Sequence, residues 1–505
     1  MAADQTPEHK SDADIIVVSD LHMGRGTNFE TGRYHNLEAF FYDEDFASFC
    51  RYLCDDARAR SSRVTLVLNG DVFDLVRIDP DVEAADSEIE RRYGAASTPE
   101  NAPRVMRQIL EGHPLFVGAL AQVLAQGHVV VILAGNHDIE TQWPPVREVI
   151  RDAITEALEK DAAQRNAIDG LRFRSWFHYE AGRVWIEHGC QYDPANSFHY
   201  LLRGNLTDVN SAVYAAEHDM PLGNFFQRYL YNGFGHITFI VPDASANARY
   251  VRWFLLNEPR LLTRVLISHL PFAAQVLRRI SKSADPARQQ LEAAHKQAIE
   301  RIAESTGLGD DLYKIDGLKE ARGDASQAVR TVGRQLLKTT AIGLAAVLTA
   351  VVLWFVGFLA IGELQTGYGM RALLFITLNV VMLAIAAVVV MWSLLRGGRP
   401  WRGRPLVRAA QRIVDILDVP IVAFGHTHVE NVVALNRKGG ERAWYFNTGT
   451  WIAVFRHDEL VPRERVQYTF LRVRGSEAEL VQWSPGRGQP FKVILLDEPP
   501  PLEPN

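Results

Sequence analysis

The chain has 505 residues, 47% of them hydrophobic, and a formal net charge of −6. That length exceeds one ordinary domain and can bury a large core, while the acidic balance gives no ground for a nucleic-acid partner. Three cysteines, Cys50, Cys54 and Cys190, are too few for a disulfide framework in a chain of this size and fit a reducing compartment. Residues 1–13 are polar and acidic, without the apolar stretch of a signal peptide, and are expected to be a disordered lead. The proline-rich acidic stretch 497–505 is expected to be a disordered tail.

The first half alternates strand-like and helix-like segments. Ile15–Ser19, Val64–Leu68 and Val129–Ala134 are short β-branched runs ending in polar residues, and Val184–Glu187 is a fourth. Helical stretches over Glu44–Arg60 and Pro103–Ala125 separate the first three. This alternation predicts an α/β protein with strands buried on both faces. Residues 192–338 read as a mainly helical insertion in which aromatic and leucine clusters alternate with arginine. Such helices either pack on one another or rest on a membrane surface.

Two long runs without a charged residue follow, at 339–362 and 372–395. Each would reach roughly 36 Å as a helix, against a hydrocarbon layer of roughly 30 Å. With only ELQTGYGMR between them, they predict a two-helix transmembrane hairpin over 339–395. Arg330, Arg334 and Lys338 precede it, and Arg396, Arg399, Arg402, Arg404 and Arg408 follow. The positive-inside rule then predicts a protein of the cell (inner) membrane, with two spans and both flanks and termini cytoplasmic. Beyond the hairpin, Ile421–Phe424 is another buried strand, and VENVVAL, WYFNTGTWIAVF, VQYTFLRV and AELVQW predict hairpins at a sheet edge.

Five polar motifs sit directly after strands: Asp20-Leu-His22, Gly70-Asp71-Val-Phe-Asp74, Gly135-Asn136-His137-Asp138, His188-Gly189 and Gly425-His426-Thr427-His428. Ligands of open α/β sheets gather outside the carboxyl ends of strands, so the five point to one shared site. Carboxylates, histidines and an asparagine amide make a mixed oxygen and nitrogen donor set suited to Mn²⁺, Fe or Zn²⁺ rather than a thiolate site or a calcium cage. The single residue inside D-x-H and H-x-H lets alternate side chains of an extended segment point the same way. Asp138 reads as a loop residue rather than a ligand, and Asn447 and Thr448, after a later strand, are candidates for the site rim.

The ordered set D-x-H, G-D-x-x-D, G-N-H-D, H-G and G-H-T-H resembles that of the calcineurin-like metallophosphoesterases. The resemblance covers residues 14–190 and 419 to about 485, within two segments, 14–191 and 405–490, assigned to one domain. It implies an α/β fold, a four-layer α-β-β-α sandwich with two mixed β-sheets, here carrying the helical insertion and the transmembrane hairpin. It also implies two divalent metal ions, manganese first, with iron or zinc as alternatives. Asp20, His22, Asp71 and His428 would bind the first ion; Asp71 would bridge to a second completed by Asn136, His188 and His426. His137 would protonate the leaving oxygen or steady the phosphoryl group, and Asp74 would orient His137. The implied reaction is attack of a metal-bound hydroxide on a phosphoric ester or anhydride.

The substrate is less sharply drawn. Phosphoprotein phosphatases of the superfamily carry Arg-Gly after the second aspartate, whereas Asp74 is followed by Leu75 and Val76. A membrane-fixed site would meet lipid-linked phosphates at high effective concentration. The chain is distantly similar to the UDP-2,3-diacylglucosamine diphosphatases, although their third motif commonly has arginine where this chain has His137. A phosphate-containing small molecule or lipid is therefore the expected partner, with the membrane itself. A cyclic-nucleotide or other nucleotide phosphodiesterase is the alternative enzyme, and a non-catalytic membrane scaffold or sensor the alternative of another class.

Overall fold

The computed structural model describes residues 13–79, 88–158, 162–204, 219–229, 232, 239–240, 260, 284–320, 349–395, 404–455 and 466–493. The lead 1–12, the tail 497–505, much of the 192–338 insertion and positions 339–348 lie outside them. The chain divides into two compact units: Met1–Ser326 with Trp401–Asn505, and Gln327–Pro400.

In the first unit the strands that position the site are, in chain order, β1 (Asp14–Val18), β2 (Val64–Asn69), β3 (Val129–Leu133), β4 (Leu171–Arg174), β5 (Phe177–Glu180) and β6 (Val184–Glu187). They are followed by β7 (Ile421–Phe424), β8 (Asn431–Asn436), β9 (Arg442–Asn447), β10 (Thr469–Arg474), β11 (Glu477–Ser484) and β12 (Gln489–Lys492). The larger sheet has the order β12-β11-β10-β1-β2-β3-β4, and the smaller β8-β9-β7-β6-β5. Both are mixed. β1, β2, β3 and β4 run parallel while β10 is antiparallel to β1. β7 is parallel to β6 and β9, while β8 is antiparallel to β9 and β5 to β6. Strands from before and after the second unit thus complete both sheets.

Alternation along the strands sorts the core. Ile16 and Val18 of β1, Leu66 and Leu68 of β2, and Val130 and Ile132 of β3 join one apolar cluster. It is closed by Phe49 and Leu53 of helix α1 (Asp43–Ala59), Met106 and Ile109 of α2 (Asn101–Gly112), Leu120 of α3 (Pro114–Ala125) and Ile150 of α4 (Pro144–Leu158). The intervening residues Ile15, Val17, Val67 and Val131 meet Val184, Ile186, Ile421 and Ala423 of the other sheet. The outer face of that sheet, through Trp185, Val422 and Phe424, packs on three helices: α6 (Ala284–Thr306), α7 (Asp310–Asp316) and α9 (Arg404–Leu417). Each strand buried on both faces needs an apolar residue at every position, which explains the near-continuous β-branched runs; each such side chain contributes about 1.5–3 kcal/mol over its exposed state. Inside the 192–338 insertion the described residues also include α5 (Leu222–Tyr229).

The expected α/β class with mixed sheets is borne out, with three corrections. The helix expected over Pro103–Ala125 is two helices, because Pro114 lacks an N–H and His113 before it has φ −127° and ψ 54°. β4, β5 and β12, each of four residues, lie in stretches the sequence pattern passed over. The transmembrane hairpin is not supported: among the described residues no helix is long and apolar enough to cross a membrane. The described residues begin within the first expected span at 349, and side chains of the second are described only to Met382.

The second unit contains a helix over 349–363 and α8 (Tyr368–Leu395). They pack on each other through Trp354, Phe358 and Phe375, with ring centroids 5.3–6.3 Å apart. Trp354 Nε1 donates to Asn379 Oδ1 at 3.2 Å, and Gly357 lies against Leu378. Many of the unit's large apolar side chains, among them Leu353, Phe355, Leu373 and Ile376, are more than half exposed.

Candidate metal centre

Every motif begins immediately past a strand: Asp20 and His22 after β1, Asp71 and Asp74 after β2, Asn136 and His137 after β3, His188 after β6, His426 and His428 after β7. Parallel neighbours end at the same level, so these strands deliver all nine side chains to one place. All are buried to within 3% except His137, whose side chain is 12% exposed and stands nearest solvent.

Three groups of donors form there, Asp20 with His22 and His428, Asp71 with His188 and His426, and His22 with Asp74 and His137, the donor atoms of each lying within 4.8 Å of one another. In the first, Asp20 Oδ1 is 3.3 Å from His428 Nε2 and 3.9 Å from His22 Nε2, and the two ring nitrogens are 2.9 Å apart. Donors bound at right angles to a single ion at about 2.0–2.1 Å lie about 3 Å apart. In the second, His188 Nε2 is 3.1 Å from Asp71 Oδ2 and 3.2 Å from Asn136 Oδ1. Asp71 Oδ2 also lies 3.8 Å from His22 Nε2, which places this one oxygen between the groups.

Hydrogen bonds fix which ring nitrogens face inward. His188 Nδ1 lies 3.0 Å from the carbonyl of Asn69, which can only accept, so Nδ1 carries a hydrogen and Nε2 is the nitrogen turned toward Asp71 and Asn136. Asp74 does the same for two rings at once: Oδ2 is 3.0 Å from His22 Nδ1 and Oδ1 is 2.9 Å from His137 Nδ1. With its Nδ1 engaged by Asp74, His22 turns Nε2 toward His428 Nε2. Burial holds His428 neutral, its pKa lowered to about 4. A neutral imidazole carries one N–H, so this 2.9 Å contact is bridged either by the hydrogen of one ring or by a cation, and the two nitrogens beside Asp20 form a donor set able to hold a metal ion. Burial opposes charge on His188, yet Asp71 and Asp20 raise it to about 10, a measure of how strongly the site favours positive charge.

The backbone is shaped to the same end. Asp20, His22, Asp71, His426 and His428 all have positive φ, between 48° and 72°. The D-x-H and H-x-H segments are therefore not extended, as alternation predicted, but left-handed at each outer residue. That conformation costs about 1–2 kcal/mol per non-glycine residue and persists only where surroundings hold it. Here loops hold one another: His22 N–H donates to Asp71 O at 2.9 Å and His137 N–H to Asp71 Oδ1 at 2.7 Å. Asp138 accepts from the N–H groups of Gly135, Asp71, Val72 and Phe73 at 2.6–3.2 Å, which makes it a loop brace. The motif glycines admit ligand side chains: a Cβ at Gly70 would lie 2.6 Å from the His188 ring, one at Gly425 2.5 Å from Asp20 Oδ2, and one at Gly135 would overlap Asp71.

The chain matches no protein-family model and no curated protein.

The structure adds residues that sequence reasoning missed. Asp193, five residues past His188, places Oδ2 3.0 Å from His426 Nε2. Asn224 on α5 holds the amide of Asn136 from the other side. Asn447 and Thr448 are buried rather than at the rim. Asn447 Nδ2 donates to Gly425 O at 2.6 Å, and Thr448 Oγ1 lies 2.6 Å from Ser19 Oγ, so both brace the loops from behind. Cys190 is buried, and burial pushes its thiol well above the usual range.

Proposed function

We propose that the chain is a metal-dependent hydrolase of phosphoric esters or anhydrides, with a binuclear centre of the calcineurin-like kind. The carrying observation is the oxygen of Asp71 set between two buried donor groups at the carboxyl ends of five strands. In this reading the first ion is held by Asp20, His22, Asp71 and His428, and the second by Asp71, Asn136, His188 and His426, with Mn²⁺ the proposed metal. The order of layers around the site, helices, sheet, sheet, helices, is that of the family's four-layer sandwich and supports the same reading.

Bound there, two ions would supply an activated water and positive charge for an in-line displacement at phosphorus. The protein's own groups do the rest. Burial would discharge His137, but the charges of Asp74 and Asp71 raise its pKa to about 9, so it is protonated at neutral pH. Held through Nδ1 by Asp74 at the exposed edge of the site, it can steady a phosphoryl oxygen and give a proton to the leaving oxygen. Asp74 stays ionised because His137 and His22 outweigh the cost of its burial.

The exposed apolar side chains of the second unit support membrane attachment, which with the uncharged runs at 339–362 and 372–395 favours a lipid-linked phosphate or pyrophosphate. Detergent-purified protein should hydrolyse one of a panel of phosphomonoesters, diesters and pyrophosphates with Mn²⁺ and not with chelator. Hydrolysis indifferent to chelation would sink the metal mechanism. Release of the protein from membranes by alkaline carbonate would sink the membrane placement.

A further inference from the structure

Two side chains from the stretch that follows His188 reach the second donor group, one at each of two ligands. On α5, Asn224 Nδ2 donates to the main-chain carbonyl of Asn136 at 2.6 Å. A carbonyl only accepts, so the amide of Asn224 has one possible orientation, with Oδ1 toward the side chain of Asn136. Asn136 must answer with Nδ2, at 3.1 Å, and its own Oδ1 is thereby turned inward to His188 Nε2. Both asparagines are buried, at 1% and 3% exposure.

Asp193 acts similarly on His426. Its carboxylate accepts from Ala195 N–H at 2.9 Å and Asn196 Nδ2 at 2.7 Å, and lies 3.0 Å from His426 Nε2. An ionised carboxylate only accepts, so Nε2 carries the hydrogen and Nδ1 keeps the lone pair. The two devices are joined. Gly223, beside Asn224, donates its N–H to Ala195 O at 2.8 Å, and Asn196 Oδ1 fills the space a Cβ would need. The same helix is pinned further by Arg228, whose Nη2 donates to Gly94 O at 3.1 Å.

We infer that Asn224 and Asp193 are positioning residues for the second ion: one sets the amide of Asn136, the other the ring of His426, so that occupancy of that site depends on the docking of α5. The inference rests on the binuclear reading and gives the insertion a role in it. The hydrogen bonds of Asn224 and Asp193 to the donor groups run to the second, at Asn136 and His426.

The test is Mn²⁺ binding to chelator-stripped full chain in detergent, followed by electron paramagnetic resonance, which distinguishes one bound ion from a coupled pair. Wild type should take two ions. Asn224→Ala and Asp193→Asn should each keep the tighter ion and bind the second about 10–100-fold more weakly, with loss of the coupled-pair signal. Gln227→Ala, on the same helix but directed to Asn232, is the control and should bind both as wild type does. The inference is overturned if both variants retain the coupled pair at wild-type Mn²⁺ concentrations, or if Gln227→Ala weakens the second ion equally. A wild type that binds no ion overturns the inference together with the binuclear reading, an outcome distinct from either.

Discussion

Replacing Gly425 with alanine adds one methyl group where the β7 loop meets the β1 loop. Its Cβ would lie 2.5 Å from both Asp20 Oδ2 and Ser19 Oγ, while ordinary contact begins at 3.4 Å. The carboxylate must therefore retreat by about 0.9 Å, in a core that yields little. Asp20 is fully buried, its carboxylate accepts the His426 N–H at 3.0 Å, and its carbonyl accepts Thr450 Oγ1 at 2.6 Å. Overpacking of this kind costs about 1–3 kcal/mol of stability, and a ligand misplaced by about 1 Å costs on the order of 10²-fold in turnover. If Asp20 holds the first ion, its affinity should fall about 10–100-fold, and the metal-dependent part of stability by about 1.4–2.7 kcal/mol. Urea unfolding with Mn²⁺ and with chelator, alongside Mn²⁺ titration, separates the two losses. A Gly425→Ala protein with wild-type Mn²⁺ affinity, whatever its stability, would refute Asp20 as a ligand placed by this contact.

Three further outcomes are expected. His137→Ala should lower turnover by about 10²–10⁴-fold with bound metal unchanged, read by kinetics and metal analysis; metal lost in proportion would make it a ligand. Asp74→Ala, which frees both His22 and His137, should lose turnover and also weaken the first ion about 10-fold or more; a variant indistinguishable from His137→Ala would show that Asp74 serves one ring alone. Away from the site, buried His113 lies between Asp43 and Glu38, and although burial opposes its charge these carboxylates raise its pKa to about 9. A folded pKa above the ordinary 6.5 stabilises below that value and is lost as pH rises through about 9, an effect of about 3 kcal/mol. His113→Gln should therefore be much less stable than wild type at pH 6 and nearly equal to it at pH 9.5; a constant difference across that range would remove the charged histidine from the account.

The site was legible because its residues stand next to strands whose apolar runs are unmistakable, and strand direction carried Asp20, Asp71, Asn136, His188 and His426 to one end without knowledge of contacts. What was hidden depended on tertiary approach. Asp193 lies in a loop, and the helical pattern around Asn224 says nothing of what that side chain touches; only the packing of α5 on the third motif gives them a role. The two-ring grip of Asp74 was half foreseen, since spacing says nothing about which loops touch. Left-handed conformation at Asp20, His22, Asp71, His426 and His428 is uncommon even for aspartate and histidine, which adopt it more readily than most residues, and it is held by the contacts among loops. The break at Pro114 was readable from the proline itself; the amphipathic run before it and the apolar run after it both read as helix and masked it.

The binuclear centre is tested most directly by the ions held per chain by wild type and by Asp71→Ala, each verified as folded by circular dichroism and analysed for metal after Mn²⁺ loading and dialysis. Because Asp71 Oδ2 lies beside both His22 and His188, wild type should retain two ions and the variant fewer than one. A folded wild type without stoichiometric metal, or an Asp71→Ala protein that keeps both ions, would contradict a binuclear centre built around this carboxylate.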